Sequence, residues 1–176
     1  MAISTVLSDE LTRARTVPQV LIDRNVGKLT TLIDTKTVAT TSIDEVGDVI
    51  LFAPLPSNAV LVDVLFKNAD LDTNGSPTLA ANIGLYYFGD DNLKTTTTEF
   101  GDVVDADCIA AASTIFRAAV TTFTSVGPAI GDAGKRLWEL AGLTSDPGGQ
   151  FCVGITISAV SATPAAGAVQ LRVDFI

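Results

Sequence analysis

Residues 151–158 read FCVGITIS, and residues 169–175 read VQLRVDF. In both stretches the large apolar residues fall on every second position, as in a strand with one buried face and one face toward solvent or a partner. Residues 147–171 carry no charge, but their glycines, Pro164 and this alternation argue against a membrane helix, which needs about 20 consecutive apolar residues. The chain is therefore predicted to end in two antiparallel strands.

Further strands are predicted toward the N-terminus, separated by proline-rich or Asn-Gly turns. They lie at residues 48–52, 60–67 and 79–88, and the Thr-rich run 28–43 has the composition of one long strand or a hairpin. Residues 123–130 show no clear pattern. Seven or so strands with no alternating strand–helix rhythm predict a mainly all-β fold, an antiparallel β-sandwich or jelly roll with one or two short helices.

Two helices are predicted in the long connections. Residues 108–119 place apolar side chains near helical spacing after Asp105, a possible N-cap. Residues 132–142 are typical of a two-turn helix that begins at an Asp132 cap and ends at Gly142.

Residues 1–27 show no sustained periodicity, so we predict an extended N-terminal arm before a sandwich domain of residues 28–176. Fully stretched, the arm would reach about 90 Å, whereas a globule of this length has a radius of gyration of about 16 Å. It could therefore contact a neighbouring subunit. Its apolar and basic residues form the predicted partner-binding set: Arg13, Arg15, Val17, Pro18, Val20, Ile22 and Arg24.

Composition limits the chemistry that the chain can perform. Its 176 residues carry a net charge of −9 and include no histidine, which excludes Ser-His-Asp and Cys-His catalysis and imidazole zinc sites. We predict no enzymatic activity and no cofactor. Because phosphates and anionic lipids would repel such a body, neither nucleic acid nor membrane is an expected partner. Charged residues make up only 18%, below the usual quarter or so, which favours burial of surface in an oligomer.

The N-terminal residues lack the basic start and apolar core of a signal peptide. We therefore expect synthesis in the cytoplasm, where Cys108 and Cys152 would be free, buried thiols rather than a disulfide.

One motif suggests a cation site. Asp70, Asp72, Asn74 and Gly75 follow the spacing that opens a calcium loop, but the twelfth position, which should be Glu, is Ala81. The pattern favours a β-turn between two strands, with an ion site as the alternative.

A second acidic stretch lies in the predicted loop 89–107. A cation site or the paired acids of a glycosidase would need these carboxylates to converge, whereas an ordinary solvated loop would not. The solvated loop is favoured, and no catalytic residue is nominated. The acids are Asp90, Asp91, Glu99, Asp102, Asp105 and Asp107.

Aromatic residues offer few ligand platforms. Trp138 follows Lys135 and Arg136, and we predict that the Trp closes one end of the sandwich while the two bases stay in water. Tyr86 and Tyr87 should point to opposite faces of their strand.

Three segments, taken in order, resemble a known family. They are residues 47–61, with GDVI and LPSNAVL; residues 82–87, NIGLYY; and LWELAGL at 137–143, which leads through Asp146-Pro147 to VGIT at 153–156 and Arg172-Val173. This order resembles small virion proteins of tailed bacteriophages that act as head decoration or cement proteins.

The resemblance implies a mechanical role. A sandwich, commonly in a homotrimer, would sit on the outer capsid surface and tie subunits of the major capsid protein together. The partners implied are the major capsid protein and further copies of this chain, with residues 1–27 making the capsid contacts after synthesis in the host cytoplasm. One alternative is a carbohydrate- or receptor-binding module of a phage tail or head fibre, although one Trp and two Tyr offer few platforms. A hydrolase using the acidic loop is a weaker alternative.

Overall fold

The computed structural model describes residues 28–88, 101–132 and 134–176. These residues form eight strands, three short 3-10 helices and one α-helical turn. The strands are β1 Thr30–Val38, β2 Val49–Pro56, β3 Leu61–Asn68, β4 Ala80–Tyr87, β5 Val103–Ser113, β6 Val120–Gly127, β7 Gln150–Ala159 and β8 Gly167–Phe175. The 3-10 helices span Thr40–Ser42, Ile115–Arg117 and Ile130–Asp132, and α1 spans Leu137–Leu140.

The strands form two antiparallel four-stranded sheets. Sheet A has the order β1-β8-β3-β6, and sheet B has the order β2-β7-β4-β5. Strand 1 pairs with strand 8, 2 with 7, 3 with 6 and 4 with 5, so the chain follows the path of one long hairpin wrapped into two layers. This is the connectivity of a jelly roll, and the predicted all-β sandwich is confirmed.

The alternating apolar residues of β7 and β8 form part of the core between the two sheets. Every second residue of β7 from Phe151 to Ile157, and of β8 from Val169 to Val173, is at most 2% exposed and faces the other sheet. Phe66 of sheet A sits between Phe52 and Phe116, with ring centroids 6.0 and 5.3 Å away in edge-to-face geometry. Such pairs add to the burial free energy and hold the two layers in register.

The helix predicted after Asp105 is wrong, because residues 103–113 form β5. Between the pairs Ile83–Ala110 and Leu85–Asp105, β4 advances by two residues while β5 advances by five. The extra residues form a bulge, and a bulge breaks the period of two. The apolar positions around Ile109 therefore imitate helical spacing.

The predicted two-turn helix at 132–142 is also shorter than expected. Its α-helical part is one turn, α1, preceded by a separate 3-10 helix that ends at Asp132. The backbone N–H groups of Leu137 and Trp138 donate to the carbonyls of Ala59 and Ser57, at 2.9 and 3.1 Å. These bonds tie the first turn to the β2–β3 connection. Gly142 follows the helix with a φ of 70°, as the sequence predicts.

Two open assignments are resolved. The run at residues 28–43 forms the single strand β1 and a 3-10 turn rather than a hairpin, and the unassigned stretch at 123–130 contains most of β6. None of the described helices combines the length and the apolar content that crossing a membrane would take.

Candidate interaction surface

The predicted partner-binding residues lie outside the described part of the chain. They are Arg13, Arg15, Val17, Pro18, Val20, Ile22 and Arg24. The described chain starts at Lys28 and enters β1, which is an edge strand of sheet A. The arm would therefore leave the sandwich at that edge.

Asp72 is a structural anion within the turn that the calcium-like motif predicted. Its carboxylate, 1% exposed, accepts backbone N–H groups from Thr78 and Leu79 on one side and from Ala162 and Thr163 on the other. Burial alone would raise its pKa, but these four donors together bring the pKa well below the usual range. The aspartate therefore joins two loops that lie about 90 residues apart in sequence.

This arrangement favours the turn over the ion site. The donors around Asp72 would repel a cation, while the side-chain oxygens of Asp70 and Asn74 accept the N–H groups of Asp72 and Ser76 within their own turn. Within residues 28–88, 101–132 and 134–176, no group of three or more acidic, Cys or His side chains is placed to hold a metal.

The acidic stretch is only partly described. Asp90, Asp91 and Glu99 lie outside the described residues. Asp105 and Asp107 lie in the bulged part of β5, and the pKa of Asp107 is raised, chiefly by a hydrogen bond with the Asp105 side chain and then by burial. This pair concentrates negative charge at one end of an edge strand.

The two cysteines are free, as predicted. Cys152 is buried in β7 and Cys108 is half-buried in β5. Burial raises the pKa of Cys108 to about 12 and that of Cys152 to about 11. Both thiols therefore stay protonated near neutral pH and are poor nucleophiles.

Tyr86 packs on the outer face of sheet B. Tyr86 lies on the opposite side of β4 from the core, directly over Gly154 of β7, and its hydroxyl bonds that of Thr156. It is only 2% exposed, and burial raises its pKa. Tyr87 faces inward, with its ring 5.7 Å from that of Phe151. The two tyrosines do point to opposite faces, but neither offers an open platform for a sugar ring.

One end of the sandwich is closed by α1, as predicted. Leu137 and Leu140 are buried and Trp138 packs against the core, while Lys135 and Arg136 are exposed. Lys135 forms an ion pair of 2.6 Å with Asp132. The basic residues beside Trp138 are thus part of the solvated surface.

Sheet A exposes apolar side chains where the arm would leave. Val60 exchanges two 3.0 Å backbone hydrogen bonds with Ile176, and β1 pairs Thr30 with Phe175 on the other side. This register brings together three apolar residues that are 43 to 55% exposed, which we name the sheet A patch: Leu29, Val62 and Ile176. Exposed apolar residues that cluster in this way are typical of contact surfaces.

Comparison with known proteins identifies the fold. The chain is similar to a chain in the capsid of Ralstonia phage GP4, with a TM-score of 0.61 and 22% identity over 93% of both chains. It is also similar to a chain in the capsid asymmetric unit of cyanophage Pam1, with a TM-score of 0.58 and 21% identity over 92% of this chain and 95% of that one. No family model matches the sequence, and no curated protein matches it either.

The predicted resemblance to phage virion proteins is thus confirmed at the level of the fold. Sequence reasoning missed the sheet A patch, because residues 29, 62 and 176 meet only through strand pairing. It also missed the edge strand β6, although one signal was present: residues 118–131 contain no charged residue.

Proposed function

We propose that this chain is a structural protein of a phage virion, which binds the outer surface of the head and ties subunits of the major capsid protein together. The observation that carries the proposal is the fold that the chain shares with chains of two phage capsids, over nearly the full length of each. A shared fold is compatible with this role, and the contacts that would perform it are argued from the surfaces below.

The negative charge of the chain supports a location on the outer surface of the head. A protein with a net charge of −9 would be repelled by the phosphates of packaged DNA, so the exterior is electrostatically the more favourable side of a filled shell.

The buried titratable groups support a mechanical role rather than an enzymatic one. The carboxylate of Asp72 accepts hydrogen bonds from backbone N–H groups, and burial keeps the thiols of Cys108 and Cys152 protonated. Groups with shifted pKa values are candidates for catalysis when they line a cleft. Asp72 joins two loops and Cys152 is buried in β7, so neither lines a cleft. Cys108 borders the hollow between β5 and the end of β6, but its protonated thiol is a poor nucleophile.

Two surfaces would make the contacts. The arm, residues 1–27, provides the seven partner-binding residues from Arg13 to Arg24, and the sheet A patch lies beside the point where the arm begins. Because a head presents many identical sites, weak contacts at each site suffice when several arms act together. A homotrimer, or another homo-oligomer, would supply those arms.

Attachment to heads tests this proposal. Purified chain is mixed with heads that lack it, the heads are pelleted, and bound chain is quantified. We expect saturable binding by the full chain and loss of at least 90% of it when residues 2–27 are deleted. Circular dichroism checks that the shortened chain keeps its β-structure. Normal decoration by the shortened chain would refute the role of the arm, and no saturable binding by the full chain would refute the function.

A further inference from the structure

Three of the four sheet edges carry features that prevent another strand from adding to them. The outer strand of a sheet is a template for pairing, and natural proteins block it with charges or prolines. In β1, Asp34 turns toward sheet B and accepts the N–H of Ala53 at 2.8 Å. In β2 the block is Pro54 and Pro56, and in the first half of β5 it is the pair Asp105 and Asp107.

The fourth edge, β6, has no such block. Val120–Gly127 contains neither charge nor proline, and no strand in the described part of the chain pairs with its outer side. The second half of β5, which faces β6 across the open side of the sandwich, is also uncharged. An unprotected edge of this length favours aggregation unless another segment covers it.

A groove separates these two strands. It has a volume of about 450 Å³ and is lined mainly by small side chains, with Ala110–Ala112 on one wall and Thr124–Val126 on the other. The two strands come closest at Gly127, where a Cβ would lie 2.7 Å from the carbonyl oxygen of Ile109, and a second hollow of about 590 Å³ continues past this point. Small side chains beside an unpaired strand edge leave room for an extended segment that pairs through its main chain.

We propose that this β5–β6 groove receives residues 17–23 of the arm of a neighbouring copy, which add to β6 as a further strand. Val17, Val20 and Ile22 give the segment β-branched residues. Pro18 lacks an N–H, which an added strand tolerates because it becomes the new edge. The flanking Arg24 complements the acidic pair at Asp105 and Asp107, which lie on β5 beyond the close approach of Ile109 and Gly127.

The positions of donor and acceptor permit exchange between copies. The arm begins beside β1, while the groove lies beside β6, at the opposite edge of the same sheet and roughly 14 Å away at ordinary strand spacing. A contact from one edge to the opposite edge is head-to-tail, and head-to-tail contacts form a ring when the rotation from copy to copy closes. This inference deepens the proposed function by assigning part of the arm to contacts between copies, and leaves residues 1–16 for the capsid.

Disulfide trapping without capsids tests the inference. Full-length Val20→Cys is mixed with full-length Thr124→Cys that carries a C-terminal extension, so that the mixed dimer has its own size on a non-reducing gel. The matched control replaces Thr124→Cys by Thr37→Cys, another exposed threonine, on β1. We expect at least ten times more mixed dimer with Thr124→Cys than with the control. Equal yields of mixed dimer with Thr124→Cys and with the control would overturn the inference. This result is also the one expected if the groove binds a strand of a capsid protein instead of the arm.

A double variant separates exchange from self-insertion. If Val20→Cys/Thr124→Cys closes its disulfide within one chain at high dilution, the arm fills its own groove and the inference fails. If it forms ladders of linked chains, the exchange between copies is supported.

Assembly in solution gives an independent readout. Thr124→Lys places a charge in the groove and should weaken self-association at least tenfold by light scattering, while Thr121→Lys, outside the groove lining, should not. Should the lysine variant fail to fold, hydrogen exchange of the unmodified chain provides the measurement. Amides of residues 17–23 should become at least tenfold slower as concentration rises, and unchanged exchange would contradict the inference. Because no capsid is present, failure of capsid attachment and failure of arm exchange are observed separately.

Discussion

Replacing Asp72 by Asn would test the loop clamp with almost no change in shape. The Oδ2 atom of Asp72 accepts N–H groups of Thr78, Leu79 and Ala162 at 2.7, 3.0 and 3.2 Å, and Oδ1 accepts that of Thr163 at 3.0 Å. An asparagine has one oxygen, so at best it keeps three of these bonds. Its amide group must then face a fourth N–H, which places two buried donors together.

The cost of this change follows from the lost bond and the unsatisfied donors. A hydrogen bond to a charged group contributes about 1.5–3 kcal/mol, and a buried donor without a partner costs about 1–3 kcal/mol. We therefore expect Asp72→Asn to lower the free energy of unfolding by about 3–5 kcal/mol. In a domain of this size, each kcal/mol corresponds to about 2–4 °C, so the melting temperature should fall by roughly 6–20 °C.

The difference in the free energy of unfolding between wild type and Asp72→Asn should depend on pH. The pKa of Asp72 is lower in the folded protein than in the unfolded chain, so the ionised carboxylate stabilises the fold fully above the unfolded pKa of about 4. This contribution declines as the pH falls below that value toward the lower folded pKa. The gap between wild type and Asp72→Asn should therefore be constant from pH 7 to 5 and should narrow below pH 4.

Urea unfolding followed by fluorescence of the single tryptophan, Trp138, measures this difference. Asp70→Asn is the control, because that carboxylate accepts one backbone N–H within its own turn and is less buried. It should cost less than about 1 kcal/mol. A cost for Asp72→Asn equal to that of the control, or a gap that stays constant down to pH 3, would refute the clamp.

Three further predictions concern the outer face, the thiols and the patch. Gly154→Ala should destabilise the protein by about 1–3 kcal/mol, because the added Cβ would clash with the Tyr86 ring. Gly131→Ala, which has open space around it, should leave the melting temperature nearly unchanged in calorimetry. Cys108 and Cys152 should react with an aromatic disulfide reagent at pH 8 at least a hundredfold more slowly in the native protein than in urea, and equal rates would contradict their burial. Val62→Asp should reduce attachment to heads at least tenfold in the pelleting assay without lowering the melting temperature. The control Val160→Asp, at a similarly exposed residue outside the patch, should bind normally. Equal loss of binding in both variants would count against the patch.

The sequence predicts those elements whose pattern is complete within the strand. In β7 and β8 the alternation runs without interruption, so both strands and their buried faces could be assigned directly. The bulge in β5 shifts the apolar residues out of that period, and the resulting spacing is indistinguishable from a helix. At residues 132–142, hydrogen bonds to Ser57 and Ala59 limit the helix to one turn, and a local pattern does not contain such partners.

The candidate surface was less predictable for the same reason. The Asp-x-Asp-x-Asn-Gly motif indicated a turn, but the partners of Asp72 at Ala162 and Thr163 come from a loop far along the chain. The sheet A patch likewise depends on the register that brings Leu29 and Val62 to Ile176. The uncharged run around β6 was visible in the sequence, yet its meaning depends on β6 being an edge strand. The boundary between arm and sandwich at residue 28 remains a prediction.

The proposed function places this chain in phage particles, and its amount in purified particles of that phage tests the central claim most directly. Quantitative mass spectrometry gives its copy number relative to the major capsid protein, before and after a wash that removes loosely bound protein. A decoration role predicts a fixed ratio that is the same in every preparation and survives the wash. Absence from the particles, or a few copies per particle, would contradict the account.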